Sequence, residues 1–375
     1  MLKRMCIYLI YDSDKIVDGY IGVALKELKR FSDMLVVVCN FDHIEKGLDN
    51  ITEYADMVYC RENKGYDAGG YQDALCRLVT WGKVCEYDEL LLTNDTWFGP
   101  VYPFDDMFNK MKNVECDFWG VTRYIGGGDE GGFPSHIQSY FIDFRSELLH
   151  SKCFRQFWED YGCSDDKNET VRRFEIGISQ YLNNNGFVGK AYMDLFRLPY
   201  ADECDTNFYI SYAYELMRDI RMPMMKRIPL NFDIKRSEDV LKAIEYIKES
   251  TEYDYTFIEN HIKRKKYVYG NNTGFDFEIM ERFIMRHKRV FFYGYGRWAH
   301  NLATYFTYRG WHFNGYIVSE NCNGDIEGLY VFSEMKLEPD DGIIIVQKNK
   351  SACEGILNNI SKSVALDNVL TSVYE

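Results

Sequence analysis

The stretch Leu90-Leu91-Leu92-Thr93-Asn94-Asp95-Thr96-Trp97-Phe98-Gly99-Pro100 constrains the fold more than any other part of the chain. Three consecutive leucines leave no polar face, so they read as a strand buried on both sides, in the middle of a mostly parallel sheet. The run stops on Asn94-Asp95, and Gly99-Pro100 turns the chain away. Open α/β sheets bind ligands beyond the carboxyl ends of their strands, and a carboxylate there can hold a metal ion or a sugar hydroxyl. The other reading of Asn94 and Asp95 is a plain turn cap, because Asx side chains commonly bond their own backbone. Both readings stand at this level.

The rest of the N-terminal half falls into step around that strand. Cys6 to Ile10, Met34 to Cys39, Met57 to Cys60 and Asp117 to Thr122 are apolar runs of strand length. Between them, Ile16 to Phe31, Gly70 to Thr80 and Phe104 to Lys112 place apolar residues at helical spacing. Strands separated by helices imply right-handed βαβ units, hence a parallel sheet with helices on both faces. His136 to Arg145 is a strand with a polar start, and Ser146 to His150, Phe154 to Tyr161 and Val171 to Leu182 read as helices. Asn183-Asn184-Asn185-Gly186 stops the last of these. Lys235 to Glu249 and Tyr253 to Lys265 are helical as well.

Near residue 270, Asn271-Asn272-Thr273-Gly274 marks a boundary. A second α/β unit follows, with strands Arg289 to Tyr293, Asn314 to Val318 and Gly342 to Val346 and a helix ending at Arg309. The turn Gly294-Tyr295-Gly296-Arg297-Trp298-Ala299 fits the dinucleotide fingerprint, with Glu320 where the ribose-binding acid belongs. Roughly 100 residues hold at most half a dinucleotide fold, so a cofactor-free structural or oligomerising module is preferred. The expected division is 1–230 for the large α/β domain, 231–273 for a helical linker and 274–375 for a small Rossmann-like domain.

Composition narrows the class. A formal charge of −14 argues against nucleic acid as a partner, since phosphate neutralisation needs clustered Lys and Arg. The 11 cysteines show no Cys-x-x-Cys pair or metal-ligand spacing, as expected of free thiols in a reducing cytosol. The apolar run near Met1 is too short for a signal peptide, and no window is long and apolar enough to span a bilayer. A cytoplasmic protein is expected. The basic run Lys263-Arg264-Lys265-Lys266 is usually a solvated face, and less often a contact with anionic headgroups at the inner face of the membrane.

Several positions stand out as candidates for chemistry. Arg61-Glu62-Asn63-Lys64-Gly65-Tyr66-Asp67-Ala68-Gly69-Gly70 opens a helix whose N–H groups suit an anion, and its glycines admit close approach of a ligand. Two acids and two bases in so short a loop favour a ligand site over an ordinary turn. Gly126 to Gly132 suits a mobile loop beside a cleft. His136 binds substrate or metal, or, more commonly for a lone histidine, is structural. Glu175 pairs with the helix dipole in its bland role. Met222 to Pro229 sets Lys226 and Arg227 between two prolines.

Taken in order, Arg61 to Asp67, Asn94-Asp95-Thr96 with Gly99-Pro100, Asp117-Phe118-Trp119-Gly120, His136-Ile137-Gln138-Ser139-Tyr140-Phe141 with Phe144-Arg145, and Arg173-Phe174-Glu175 resemble the rhamnan-synthesis F family of bacterial cell-wall and capsule glycosyltransferases. The resemblance covers roughly residues 5–230. It is similar more broadly to the GT-A nucleotide-sugar transferases, in which an Asn-x-Gly loop precedes a helix and a strand ends in an acidic metal- or diphosphate-binding motif. A later carboxylate opens a helix that closes on a Gly-aromatic pair, as Glu175 does with Gly186-Phe187.

The resemblance implies a GT-A-like fold and transfer of a sugar, typically from dTDP-β-L-rhamnose, to a glycan or lipid-linked acceptor with inversion. It makes Glu175 the general base. Tyr8, Tyr11, Asp12, Arg61, Asn63, Gly65, Tyr66, Asp67, Asn94, His136 and Gln138 become the nucleotide-sugar contacts, and Lys226 and Arg227 cover the diphosphate. Asp95 binds the donor sugar or a Mg2+ or Mn2+ ion. The metal stays open, because the usual paired acids are represented only by Asn94-Asp95-Thr96. Two rivals remain: a non-catalytic GT-A-like module of an assembly complex, and an NAD-linked sugar-modifying enzyme using Gly294 to Ala299. Against the second, no Tyr-x-x-x-Lys pair follows the fingerprint.

Overall fold

Apolar runs bounded by turn residues pair into one large sheet in the computed structural model, which describes residues 2–126, 133–193, 212–227, 234–265, 267–268, 271–272, 277–320, 327–347 and 349–371. The expected glycine loop from 127 to 132, Lys266 of the basic run, and Thr273 and Gly274 of the boundary lie outside the described residues. In chain order the strands are β1 (Arg4–Ile10), β2 (Met34–Cys39), β3 (Met57–Cys60), β4 (Glu89–Asn94), β5 (Trp97–Phe98) and β6 (Phe118–Gly120). They continue with β7 (Arg123–Tyr124), β8 (His136–Ile137), β9 (Phe141–Phe144), β10 (Gly189–Ala191) and β11 (Met225–Lys226).

Seven of these form the main sheet, in the order β3-β2-β1-β4-β9-β6-β10. β1 runs parallel to β2 and β4, β2 to β3, and β6 to β10. β9 lies antiparallel between β4 and β6. This is a mixed α/β arrangement built on one large, mostly parallel sheet. Its central strands are buried along their whole length in β2 and β4, which is why both read as unbroken apolar runs.

Alternate side chains of β1 serve two different layers. Met5, Ile7 and Leu9 join Tyr71, Trp158, Phe174, Ile178 and Leu182 in a core beneath the helices Tyr66–Asp73, Lys152–Glu159 and Gly177–Asn184. Tyr8 points the other way, edge-on to Trp97 at 6.2 Å between ring centroids. Trp97 in turn meets Phe104, which leads to Phe108, Phe141 and Trp119. The helix expected from Gly70 to Thr80 starts earlier, at Tyr66, and passes into a π-helical stretch at Ala74–Leu78. Gly65 allows the early start, with a φ of +75° that a side chain would strain.

The chain divides into two compact units: Met1–Arg227 with Tyr246–Phe257, and Ile228–Glu245 with Ile258–Glu375. Residues of the helix Ile234–Ser250 belong to both. The second unit contains a short antiparallel pair, β12 (Tyr267–Val268) and β13 (Asn271–Asn272). Its main strands are β14 (Arg289–Tyr293), β15 (Gly315–Val318), β16 (Leu329–Val331), β17 (Asp341–Ile345) and β18 (Val369–Thr371). They form a parallel sheet in the order β16-β15-β14-β17-β18, which makes this unit Rossmann-like. The Gly294 to Ala299 turn leads from β14 into the helix Arg297–Arg309. Among the described residues no helix is long and apolar enough to cross a membrane.

One buried polar knot closes the amino end of the large sheet. Arg4 pairs with Asp143 at 2.9 Å and with Glu89, donates to the Phe31 carbonyl at 2.8 Å, and lies 4.5 Å from the centre of the Phe108 ring. It thereby ties β1 to β4 and β9. Burial raises the Asp143 carboxyl above the usual range while Arg4 draws it back. Removing the guanidinium leaves two carboxylates without their partner. Arg4→Met is therefore expected to lose about 3–5 kcal/mol, read as a lower urea midpoint by tryptophan fluorescence.

Candidate functional site

The site is built outward from the end of β4. Asn94 and Asp95 are both buried there, and Asn94 takes the capping role. Its side-chain oxygen accepts from the Thr96 N–H at 3.2 Å and hydroxyl at 2.7 Å, the expected Asx cap. Its amide donates to Asp67 Oδ2 at 2.7 Å, which joins β4 to the first turn of the helix Tyr66–Asp73. Asp95 is anchored to β1 through its N–H to the Leu9 carbonyl at 3.0 Å. Its Oδ2 accepts from Arg227 Nη1 at 2.9 Å and from the Tyr11 N–H at 3.4 Å. The Tyr20 hydroxyl donates to the Asp95 carbonyl at 3.1 Å and also contacts the Arg227 guanidinium.

A distant segment supplies the cations. β11 pairs antiparallel with β5, setting Lys226 opposite Trp97, and the Arg227 N–H donates to the Thr96 carbonyl at 2.6 Å. Lys226 Nζ donates to Thr96 Oγ1 at 2.9 Å and lies 4.1 Å from the centre of the Tyr140 ring. Tyr140 is itself held from below, since the Thr122 hydroxyl bonds both the Tyr140 hydroxyl at 2.8 Å and Gln138 Oε1 at 2.6 Å.

Charges in this place act on one another. Burial pushes Lys226 down to about 8, against the pull of Glu175, Asp67 and Asp95 and with the help of Arg227. Burial pushes Asp67 up to about 6, with Asp95 and Glu175 adding to the rise while the Asn94 bond and Lys226 oppose it. Asp67, Asp95, Glu175, Lys226 and Arg227 thus form one electrostatic cluster. Glu175 enters from a helix that starts at Lys167–Thr170, where Asp166 caps the Glu169 N–H at 2.8 Å. This helix widens into a π-helical turn at Val171–Ile176 before continuing as Gly177–Asn184. Such turns often accompany functional sites. Glu175 is half-buried within it, between buried Phe174 and Ile176.

The loop before Asp67 is held from inside. Arg61 bonds Asp73 Oδ2 at 2.7 Å, Asn40 Oδ1 at 2.6 Å and the Lys64 carbonyl at 2.8 Å, so it clamps the loop. Gly65 donates its N–H to Asp165 at 2.9 Å, and a Cβ there would lie 2.9 Å from that of Cys163. Tyr66 rests its hydroxyl on the Asp165 carbonyl at 3.2 Å. Asn63 Oδ1 is buried with no hydrogen-bond partner, which leaves an acceptor to be satisfied.

The remaining positions divide between the rim and the interior. Tyr11 is exposed at the end of β1, whereas Tyr8 is fully buried under the cluster and offers no face to a ligand. Asp12 is buried and accepts from the Asp14 N–H at 2.9 Å, capping its own turn. His136 is buried, bonded to the Pro134 carbonyl at 2.7 Å and stacked on Tyr124 at 5.0 Å. Sequence reasoning missed Tyr20, and it placed Thr96 and Tyr140 within motifs without giving either a role. Tyr20 showed only helical periodicity, and nothing in that signal says that its hydroxyl reaches Asp95. Among the described residues, no three His, Cys, Asp or Glu side chains come together as a metal-holding group.

Asp67 shows the tension in such a cluster. Its carboxyl titrates near 6 in the folded chain, above the ordinary 3.8, so its favourable contribution to stability is present at low pH and is lost as pH rises through about 6. Asn in its place keeps an acceptor for Asn94 without the charge. Asp67→Asn is expected to stabilise the protein by about 1–3 kcal/mol above that pH and little below the unfolded value. Thermal melts on either side of the transition check it.

The chain is 26% identical over 185 residues to the uncharacterized protein y4gN of Sinorhizobium fredii, covering 49% of this chain and 46% of that protein. It is 27% identical over 188 residues to the virulence protein VirA of Vibrio anguillarum, covering 49% of this chain and 57% of that protein. It therefore spans about half the length of the curated relatives it matches. A solved cytidylyltransferase of Leptospira borgpetersenii is similar at 16% identity and a TM-score of 0.35, over 73% of this chain and 99% of that one. A likeness at that level carries no argument about activity. The profile of rhamnan synthesis protein F matches residues 35–306, well over half the chain. On that match, the chain belongs to the rhamnan synthesis protein F family.

Proposed function

We propose that the chain is a nucleotide-sugar-dependent glycosyltransferase of polysaccharide synthesis, with dTDP-β-L-rhamnose as donor and a glycan or lipid-linked oligosaccharide as acceptor. The observation that carries this is the half-buried cation pair Lys226 and Arg227, set in one cluster with Glu175 at the carboxyl end of β4. The family membership supports it. Glycosyl transfer needs a held diphosphate, a neutralised leaving charge and a base for the acceptor proton, and the cluster offers groups for all three.

In this reading the diphosphate lies against Lys226 and Arg227, which meet the charge that develops as the sugar–phosphate bond breaks. Glu175 takes the proton of the acceptor hydroxyl. The acceptor oxygen then attacks the anomeric carbon opposite the departing diphosphate, which inverts its configuration. Asn94 and Asp67 suit the hydroxyls of the donor sugar, and Asn63 and Tyr66, with Gly65 between them, suit the nucleoside. Asp95 holds Arg227 in place.

Glu175→Gln is expected to reduce turnover about 10²- to 10⁴-fold while the far-UV circular dichroism stays unchanged. Nucleoside diphosphate release from a panel of nucleotide sugars measures it, and a folded variant with full turnover removes Glu175 as the base. The same assay tests Lys226. Its ammonium carries charge below about 8 and loses it above, so affinity for a nucleoside diphosphate should weaken as pH rises through that value. Lys226→Arg should move this loss to higher pH, because a guanidinium stays protonated there.

A further inference from the structure

We propose that this site works without a divalent metal: Lys226 and Arg227 stand where a GT-A-type metal would neutralise the diphosphate, and Asp95 serves as the anchor of Arg227. The proposal deepens the glycosyltransferase reading above and rests on it.

The strand-ending acid is where such a metal would be held, and the groups around Asp95 do not suit one. Mg2+ requires near-octahedral oxygen ligation at close range, and it is usually held through one or two carboxylates with substrate phosphates. The Asp95 side chain is only 4% exposed, and its Oδ2 already accepts from the Arg227 guanidinium at 2.9 Å. The Tyr11 N–H points at the same oxygen from 3.4 Å. A dication on that carboxylate would share Oδ2 with the guanidinium or bind through Oδ1 directly beside it, with Lys226 close by and of the same sign.

Asp67 and Glu175 share the cluster, but among the described residues no three His, Cys, Asp or Glu side chains gather as a metal-holding group. Asn94 and Thr96 flank Asp95, and their side-chain oxygens are bonded to each other at 2.7 Å. Asp67 is bonded to the Asn94 amide.

The cations, by contrast, are built in. The ladder between β5 and β11 fixes the backbone of Lys226, and the Arg227 N–H to the Thr96 carbonyl extends it by one residue. The Tyr140 ring lies against Lys226, and the Tyr20 hydroxyl and Asp95 both contact the Arg227 guanidinium. Groups fixed in this way stabilise a developing charge without rearranging when it forms. A guanidinium also suits the paired oxygens of a phosphate.

The test is calorimetry of dTDP, UDP and GDP with the full chain, in chelator and again with Mg2+ or Mn2+. Paramagnetic resonance of free Mn2+ is followed alongside, with nucleotide-only controls. The expected result is a Kd that changes less than about twofold between chelator and metal, with no Mn2+ taken up beyond what the nucleotide binds alone. Lys226→Met should weaken binding about ten- to hundredfold in both conditions, as for loss of a charged hydrogen bond, and Lys226→Arg should restore most of it. Binding that appears only with metal, with Mn2+ retained on the protein, overturns this proposal and leaves the glycosyltransferase reading standing. Unchanged affinity in a folded Lys226→Met variant overturns it as well. If no nucleotide binds in either condition, the glycosyltransferase reading fails, and this proposal fails with it.

Discussion

The ion pair between Asp95 and Arg227 closes the site of this protein. It joins the end of the central strand to a segment more than a hundred residues later, and it does so with both side chains largely withdrawn from water. Two charges in such a place are tolerated only if each is partnered and further bonded. The Tyr11 N–H and the Tyr20 hydroxyl supply those extra bonds, on the acid and on the guanidinium respectively. Lys226 is fixed alongside Arg227, because the two-residue ladder carries Lys226 and the Arg227 N–H to the Thr96 carbonyl extends it by one residue. Lys226 so placed opposes the rise of the Asp67 carboxyl.

The two ends of the large sheet use charge differently. At the amino end, Arg4 binds Glu89 and Asp143 into a closed knot that holds three strands together. At the carboxyl end, Asp67, Asp95 and Glu175 gather around Lys226 and Arg227, and the two other carboxylates add to the rise of Asp67. Burial drives Asp67 and Lys226 in the directions that reduce their charge. Arrangements of this kind are rarely kept for stability, and groups so perturbed in one cluster are candidates for function. The unpartnered oxygen of Asn63 belongs to the same picture, as an acceptor left without its donor.

Much of the frame was legible in the chain. β1, β2 and β4 stand where unbroken apolar runs predict them, since strands covered on both faces have no polar side to show, and β3 follows as a half-buried edge strand. The loop from Arg61 to Asp67 announced itself through its glycines and mixed charges. The individual roles within it did not: Arg61 reads as a ligand contact, yet its guanidinium is taken up by Asp73, Asn40 and the Lys64 carbonyl. His136 Nδ1 and Asp12 Oδ1 likewise bond nearby backbone. A side chain's partners are set by what surrounds it in space, and a local pattern carries no record of them.

Local pattern, then, determined the α/β class, the central strand with its acidic end, and the small parallel unit at the C-terminus, because burial on one or two faces writes itself into residue periodicity. Tertiary structure alone decided that β9 runs against its neighbours, that a π-helical turn bears Glu175, and that Lys226 and Arg227 come to rest beside Asp95. A two-residue ladder is too short to leave a period, and strand direction leaves none at all. The pairing of charges far apart in the chain is a property of the folded sheet, which brings its carboxyl ends together at one edge.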